Sequence, residues 1–434
     1  MAKLAINGGK MLLPEGTIKP WPPIDDTDRK MVMASLEGNK HAFGPNCKLF
    51  AEEFAAYTGN KYAIFTNSGT AALHMCVVAA GVSAGDQVIV TSYSWSSSAT
   101  CILHHNAVPV FVDINFDTIN MDEDKIEAAI TPRTKAIIAV NLHGLTCNFD
   151  KLRAIAKKHK LVLIEDSCQA HGAKFKGVNA GKLGDCAAFS FNQNKCLCSG
   201  EGGMFVTDNE EMYQAAARLW SFGESSTPME SRDYHSYALG WMYRGSDIVA
   251  AFGRAQLAKM PQYFTTLQEN AAVLTGKLKG IKGLIVPIQP EGYLHNWYNY
   301  TNRIDAKALG WTGAPNILRD AIMAALKAEG AGVGIWQSYI LPNMTVFRAK
   351  NAYGGGCPWS CPLSQAAGEA VDYNPALFPM AQKHCDTHFG MTMPLRAPNG
   401  PEVAALVGDA FQKVFDNLNE LDPEAMAIAA AQKK

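Results

Sequence analysis

At 434 residues the chain exceeds what one ordinary hydrophobic core holds, so two domains or one large enzyme-sized domain are expected. Hydrophobic residues make up 48% and charged residues 18%, a balance that excludes wholesale disorder. Thirty-nine Lys and Arg offset 40 Asp and Glu, and a net charge of -1 gives no ground for nucleic-acid or anionic-membrane binding. No run approaches the roughly eighteen apolar residues of a membrane-spanning helix. The opening MAKLAINGGK lacks the apolar block of a secretory signal, so a cytoplasmic chain is expected. The eleven cysteines, none in a CxxC pair, are expected to be reduced thiols buried as small hydrophobes. Cys357-Pro-Trp-Ser-Cys361 comes nearest a metal pattern, but no second Cys or His pair at zinc spacing accompanies it, and no metal is expected.

From residue 60 to about 210, short apolar runs alternate with segments of helical period. KYAIFTN (61–67) reads as a strand, and SGTAALHMCVVAAG (68–81) as a helix closed by glycine. Strands follow at 86–92, 107–114, 135–142 and 161–167, with helices expected at 97–105, 122–130 and 149–159. This alternation predicts an α/β fold, a mostly parallel sheet with helices on both faces. Two further apolar runs lie at 186–191 and 202–208. A helical stretch then begins near Asn209, passes a serine-rich loop from Gly223 to His235, and resumes near Ser246. Pro287 to Arg303 reads as a strand pair, Gly390 to Pro394 as a short strand, and 400–421 as the last helix before a fraying Ala-rich tail. The expected division is a large domain at 41–264 and a smaller α/β domain at 265–434, with residues 1–40 across their junction.

Nucleotide chemistry loses its usual support. No GxGxxG follows the first strand, and Gly177-Val-Asn-Ala-Gly181-Lys182 is one residue too short for a phosphate-binding P-loop. Three other clusters stand where α/β sheets present ligand groups. Asn67-Ser68-Gly69-Thr70 opens a helix after a strand, where free N–H groups attract a phosphate; alone, it reads first as an N-cap. Glu165-Asp166 ends a buried strand, with Gln169 and His171 one turn on; alone, either acid is as readily a helix cap. Lys195, between FSFNQN and the glycine-rich Gly200-Glu201-Gly202-Gly203, is placed for an amine drawn out of water and available for Schiff-base chemistry. Taken together, a phosphate turn, an acid at a strand end and a lysine about thirty residues on are what pyridoxal phosphate requires. An aromatic for the ring face is at hand in Ser92-Tyr93-Ser94-Trp95.

The motifs TNSGTAAL (66–73), DQVIVTSYSWSSSAT (86–100), VLIEDSCQAHGA (162–173) and FSFNQNKCLCSGEGGMFVTD (189–208) resemble those of the DegT/DnrJ/EryC-type sugar aminotransferases. These are pyridoxal-phosphate enzymes of fold type I. The resemblance implies Lys195 as the Schiff-base lysine, Asp166 as partner of the pyridine nitrogen, Trp95 as the stacking aromatic and Gln169 beside the ring hydroxyl. It implies phosphate contacts from Gly69, Thr70 and Ser190. It further implies a homodimer in which Arg244 reaches the neighbour's cofactor phosphate, with Gly245 standing where relatives more often carry Met or Leu. Some relatives have His in place of the lysine and dehydrate a sugar carbon; Lys195 argues against that branch. GWMYR (240–244) and NAYGGGCPWSC (351–361) resemble the inosose aminotransferases, which implies a keto-sugar or keto-cyclitol acceptor and L-glutamine or L-glutamate as donor. Trp336, Tyr339, Asn351 and Tyr353 are the expected acceptor-pocket residues, although an aromatic-rich loop is more often plain core. Two alternatives stay open here: a cofactor-binding regulatory protein without turnover, and a pyridoxal-phosphate lyase or decarboxylase.

Overall fold

The structure, a computed structural model, describes residues 3–224 and 234–432. Most of the serine-rich loop expected at 223–235 therefore lies outside the described residues. The apolar runs of the first half become strands β1 (Tyr62–Thr66), β2 (Gln87–Thr91), β3 (Val108–Val112), β4 (Thr134–Val140) and β5 (Val162–Asp166). A short ribbon of β6 (Lys174–Phe175) and β7 (Val178–Asn179) follows, then β8 (Cys186–Ser190) and β9 (Gly203–Thr207). Seven of these strands form one sheet in the order β1-β9-β8-β5-β4-β2-β3. β3, β2, β4, β5 and β8 run parallel, and β9 is antiparallel to both of its neighbours. β2, β8 and β9 are buried along their whole length, as continuous apolar runs in a sheet covered on both faces should be.

The helix Gly69–Ala79 is apolar all round and buried from Ala71 to Val77. Its Gly and Ala residues let it lie against β8 and β9, at the centre of the molecule. The helix expected at 122–130 is shorter than its sequence pattern, a 3-10 turn at Glu123–Lys125 running into Ile126–Ala129. The opening segment touches several layers. Leu4 and Leu13 belong to the core of the C-terminal sheet, and Trp21 packs edge-on against Tyr263 at 4.8 Å. The helix Asp26–Glu37 is held to the helix Asp247–Leu257 by Asp28 with Gln256 (2.7 Å) and by Ser35 with Asp247 (2.6 Å).

Position 265 falls inside one continuous helix, Met260–Leu278, whose early residues join the large sheet's core and whose later ones join the second core. That second core covers an antiparallel sheet of β10 (Leu284–Ile285), β12 (Tyr300–Ile304) and β13 (His388–Met391). Between them, β11 (Tyr293–Leu294) pairs with β6. The strand pair expected over 287–303 is thus two strands of different sheets. Residues from Ile340 to Cys385 pack on the main core. There Phe347 and Tyr373 cover Phe111 of edge strand β3, and the Tyr373 hydroxyl donates to the Pro109 carbonyl at 2.6 Å.

Two further expectations are corrected. The Ala-rich tail is a helix, Pro423–Ala431, capped by the Asp422 carboxylate on the Ala425 N–H. Cys357 and Cys361 are joined by a disulfide, because the tight 357–361 turn brings their Cα atoms to 5.5 Å; the other nine cysteines are free thiols. Among the described residues no cluster of His, Cys, Asp or Glu could hold a metal ion, and no helix is long and apolar enough to cross a membrane.

Candidate active site

The carboxyl ends of β1, β2, β5 and β8 open on one cavity of about 640 Å³, walled on its far side by the C-terminal part of the chain. Each strand end delivers one piece of it. After β1, Ser68 caps the helix Gly69–Ala79 by accepting the Ala71 N–H at 3.1 Å. The first helical amides, those of Gly69 and Thr70, have no hydrogen-bond partner among the described residues, and both residues line the cavity. This turn is possible only without side chains at two positions. A Cβ on Gly69 would lie 2.6 Å from the Ser190 Cβ, and one on Gly203 would lie 2.3 Å from the Ser68 carbonyl oxygen. Ser190, at the end of β8, therefore sits directly beside the helix start and adds a hydroxyl to the cradle.

The two acids ending β5 divide, one into the cavity and one away from it, as alternation along a strand demands. Asp166 lines the cavity, and Ser98 Oγ donates to its Oδ2 at 2.7 Å. Glu165 is fully buried on the other face. It accepts from Ser167, Asn141 and the amides of Gly181, Leu183 and Gly184, and so fixes the turn before β8. Burial pushes the Glu165 carboxyl up while those donors pull it down. Gln169 accepts the His143 N–H on Oε1 at 2.8 Å, which leaves its amide N–H₂ for the cavity. His171 does not reach the cavity. Its ring is enclosed by Phe189 and Phe191, and burial holds it down to about 3.

Lys195 lies half-buried in the cavity wall with its ammonium nitrogen 4.7 Å from the centre of the Tyr298 ring. Its backbone is fixed from two sides. Its N–H donates to the Asn192 carbonyl at 2.8 Å, and buried Arg396 reaches the carbonyls of Asn194 (2.7 Å), Tyr298 (3.3 Å) and Lys195 (3.5 Å). Trp95 lines the cavity with a 56% exposed indole, a face open for stacking.

Of the four residues expected around the acceptor, Trp336 alone lines the cavity, packed edge-on against His143 at 4.9 Å. The others stand elsewhere. Tyr339 is a surface side chain, the Tyr353 hydroxyl is bound to the Leu103 carbonyl, and the Asn351 side chain caps the amides of Gly354 and Gly356. Their composition suits a sugar pocket, but Tyr353 is tied instead to the end of the helix Ser97–Leu103. Arg244 also lies outside its own chain's cavity. It bridges Thr66 through the backbone, and its guanidinium stacks on Phe222 at 5.1 Å. Gly245 has a packing reason, since a Cβ there would meet the Phe65 ring at 2.1 Å. Residues that sequence reasoning passed over are Ser98, Asn192, Glu201, Tyr298, Asn299 and Arg396. Only the serine run SSSAT and the GEGG turn carried a local signal for any of them.

The geometry fits pyridoxal phosphate. Unpaired helix amides and a close-packed glycine suit the phosphate, a fixed carboxylate suits the ring nitrogen, an exposed indole suits the ring face, and an amine stands within the same cavity. Fold and site together define an enzyme of the pyridoxal-phosphate transferase class. The model of the DegT/DnrJ/EryC1/StrS aminotransferase family matches residues 22–371, and the chain belongs to that family of pyridoxal-phosphate-dependent sugar aminotransferases. It is 40% identical over 313 residues to GDP-perosamine synthase of Caulobacter vibrioides, covering 71% of this chain and 81% of that protein. A Micromonospora echinospora protein provisionally named L-glutamine:3-amino-2,3-dideoxy-scyllo-inosose aminotransferase is 35% identical over 337 residues, 76% of this chain and 78% of its own. Among solved structures, S. venezuelae DesV in complex with a ketimine intermediate superposes with a TM-score of 0.76 at 25% identity, covering 93% and 100% of the two chains.

Proposed function

We propose that this aminotransferase moves the amino group of L-glutamine or L-glutamate to a ketone on a hydroxyl-rich ring, an inosose or a related sugar. The observation that carries the reading is the convergence of Lys195, Asp166 and the Gly69–Thr70 helix start on one cavity whose other walls bring hydroxyl, amide, carboxylate and aromatic groups together with a few aliphatic ones. Bound there, pyridoxal phosphate supplies the carbonyl that takes the amino group and the electron sink that makes the adjacent C–H acidic. The chain's own residues do the rest. The free amides of Gly69 and Thr70 and the Ser190 hydroxyl would hold its phosphate, and Trp95 would offer its indole face to the ring. Asp166, oriented by Ser98, holds a proton on the ring nitrogen. The Lys195 amine takes the proton from the donor's Cα and returns one to the acceptor's former carbonyl carbon. Tyr298 and Trp336 offer aromatic faces, and Asn299 hydrogen-bonding groups, to a polyol ring.

We also propose that the active form is a homodimer with shared sites. Arg244 does not line its own chain's cavity, and its planar guanidinium, 5.1 Å from the Phe222 ring centre, suits a phosphate in the partner's site. The experiment is to load the protein with cofactor, convert it with L-glutamine or L-glutamate, and then challenge it with inososes, nucleotide-linked ketosugars and simple ketones. Amination of a polyol ketone supports the reading. Conversion by the donor with no polyol ketone accepted would overturn it.

A further inference from the structure

Glu201 sits on the turn between β8 and β9 and lines the cavity that contains Lys195 and Asp166. The turn is built to present it. Gly200 and Gly202 on either side adopt φ of +89° and +146°, which only glycine takes readily, and the Ser199 hydroxyl donates to the Glu201 carbonyl at 2.7 Å. Asn192 then fixes the side chain by donating Nδ2 to Glu201 Oε1 at 2.8 Å. Asn192 is itself held at three atoms: its N–H reaches Ser190 Oγ at 3.4 Å, its Oδ1 takes the Asn194 N–H at 3.1 Å, and its carbonyl takes the Lys195 N–H. Among the described residues no cation pairs with Glu201, and its second carboxylate oxygen has no partner.

An unpaired, mounted carboxylate can only accept hydrogen bonds, and those from hydroxyl groups to a charged oxygen are among the strong ones. The amino-acid donor carries at least one carboxylate, which Glu201 repels. An inosose, by contrast, carries ring O–H groups and no negative charge. We infer that Glu201 is a specificity-determining residue for the acceptor half of the reaction, accepting hydrogen bonds from ring hydroxyls of a polyol ketone while Asn192 holds its other oxygen. The inference rests on the aminotransferase reading above and names the group that would recognise the acceptor's hydroxyls.

The test compares the cofactor-loaded wild type with Glu201→Gln and Glu201→Asp, following each half-reaction separately by cofactor absorbance. L-Glutamine is the donor; an inosose and the hydroxyl-free ketone cyclohexanone are the acceptors. In Glu201→Gln the ratio of kcat/KM for inosose over cyclohexanone should fall about tenfold or more, mainly through KM, with part of the loss restored in Glu201→Asp. Calorimetry should show a matching loss of affinity for the unreactive polyol myo-inositol. An equal loss on both ketones, or a loss confined to the glutamine half-reaction, overturns the inference. If the wild type aminates inosose and Glu201→Gln does so at unchanged KM, the inference alone falls. If the wild type aminates neither ketone after glutamine has converted it, the polyol reading falls and this inference with it.

Discussion

Ser98 Oγ donates to Asp166 Oδ2 at 2.7 Å and is itself paired with Ser94 Oγ at 2.7 Å, so a hydroxyl relay from the β2 end orients the acid at the β5 end. The Cys168 N–H donates to the other carboxylate oxygen, Oδ1, at 3.2 Å. Both oxygens of Asp166 are thereby fixed while the residue still lines the cavity. Asp166→Asn keeps the shape and most of these contacts but removes the charge that balances a protonated ring nitrogen. It should retain cofactor binding and lose turnover by on the order of 100-fold or more. Steady-state kinetics on the loaded variant checks this, and near-normal turnover would take the acid out of the mechanism.

The phosphate cradle depends on the absence of a side chain at Gly69. Gly69→Ala places a methyl group 2.6 Å from the Ser190 Cβ, so the helix start must shift away from β8. Cofactor affinity should drop about tenfold or more, as misaligned amides lose charge-assisted hydrogen bonds to a phosphate. Titration of the cofactor-free protein with pyridoxal phosphate measures it. Unaltered affinity would mean that the phosphate is held elsewhere.

Acid should destabilise this protein through its histidines. Burial holds His74, His171 and His295 down to about 3 and His388 to about 4, against 6.5 ordinarily. Between those values the unfolded chain binds protons that the folded chain refuses. Stability is therefore fully present above pH 6.5 and is lost as pH falls toward 4, by up to about 1.4 kcal/mol per pH unit for each such residue. His171→Phe, set between Phe189 and Phe191, should reduce that slope by one histidine. Urea midpoints at pH 7, 6 and 5 read it directly; identical slopes for variant and wild type would contradict the assignment.

Arg244 gives the proposed dimer a functional test. Lys195→Ala and Arg244→Ala should each be inactive or nearly so as pure proteins. When their subunits exchange, one site of the mixed dimer carries both lesions and the other carries neither, and activity should recover toward one working site per heterodimer. Demonstrated exchange without recovery would confine Arg244 to its own subunit.

The large sheet between residues 61 and 208 was legible because each of its seven strands is a compact apolar run ended by turn residues, and the site groups sit at or shortly after the ends of those runs; the two-residue strands β6 and β7 left no such run. Lys195, Asp166 and Gly69 could be placed for that reason. The far wall was not legible. Tyr298, Asn299 and the Gly332–Trp336 segment reach the cavity through the pairing of β12 with β13 and the bridge from Gly334 to Gly390, contacts between distant stretches that no local pattern encodes. Asn351 and Tyr353 lie outside this chain's own cavity, Asn351 bound to the Gly354 N–H and Tyr353 to the Leu103 carbonyl, contacts that their polar and aromatic composition does not encode. Arg396 carries no local sequence signal, yet it is buried beneath Lys195, where three carbonyls converge on its guanidinium.

The central claim is that Lys195 is the amine on which this enzyme works. Borohydride reduction of the pyridoxal-phosphate-loaded protein, followed by digestion and mass analysis, tests it most directly. The account predicts that the cofactor's mass is fixed on the peptide containing FNQNKCLCSGEGG, at Lys195, and that Lys195→Ala takes up no reducible cofactor. Labelling of a different lysine, or full turnover by Lys195→Ala, would contradict it.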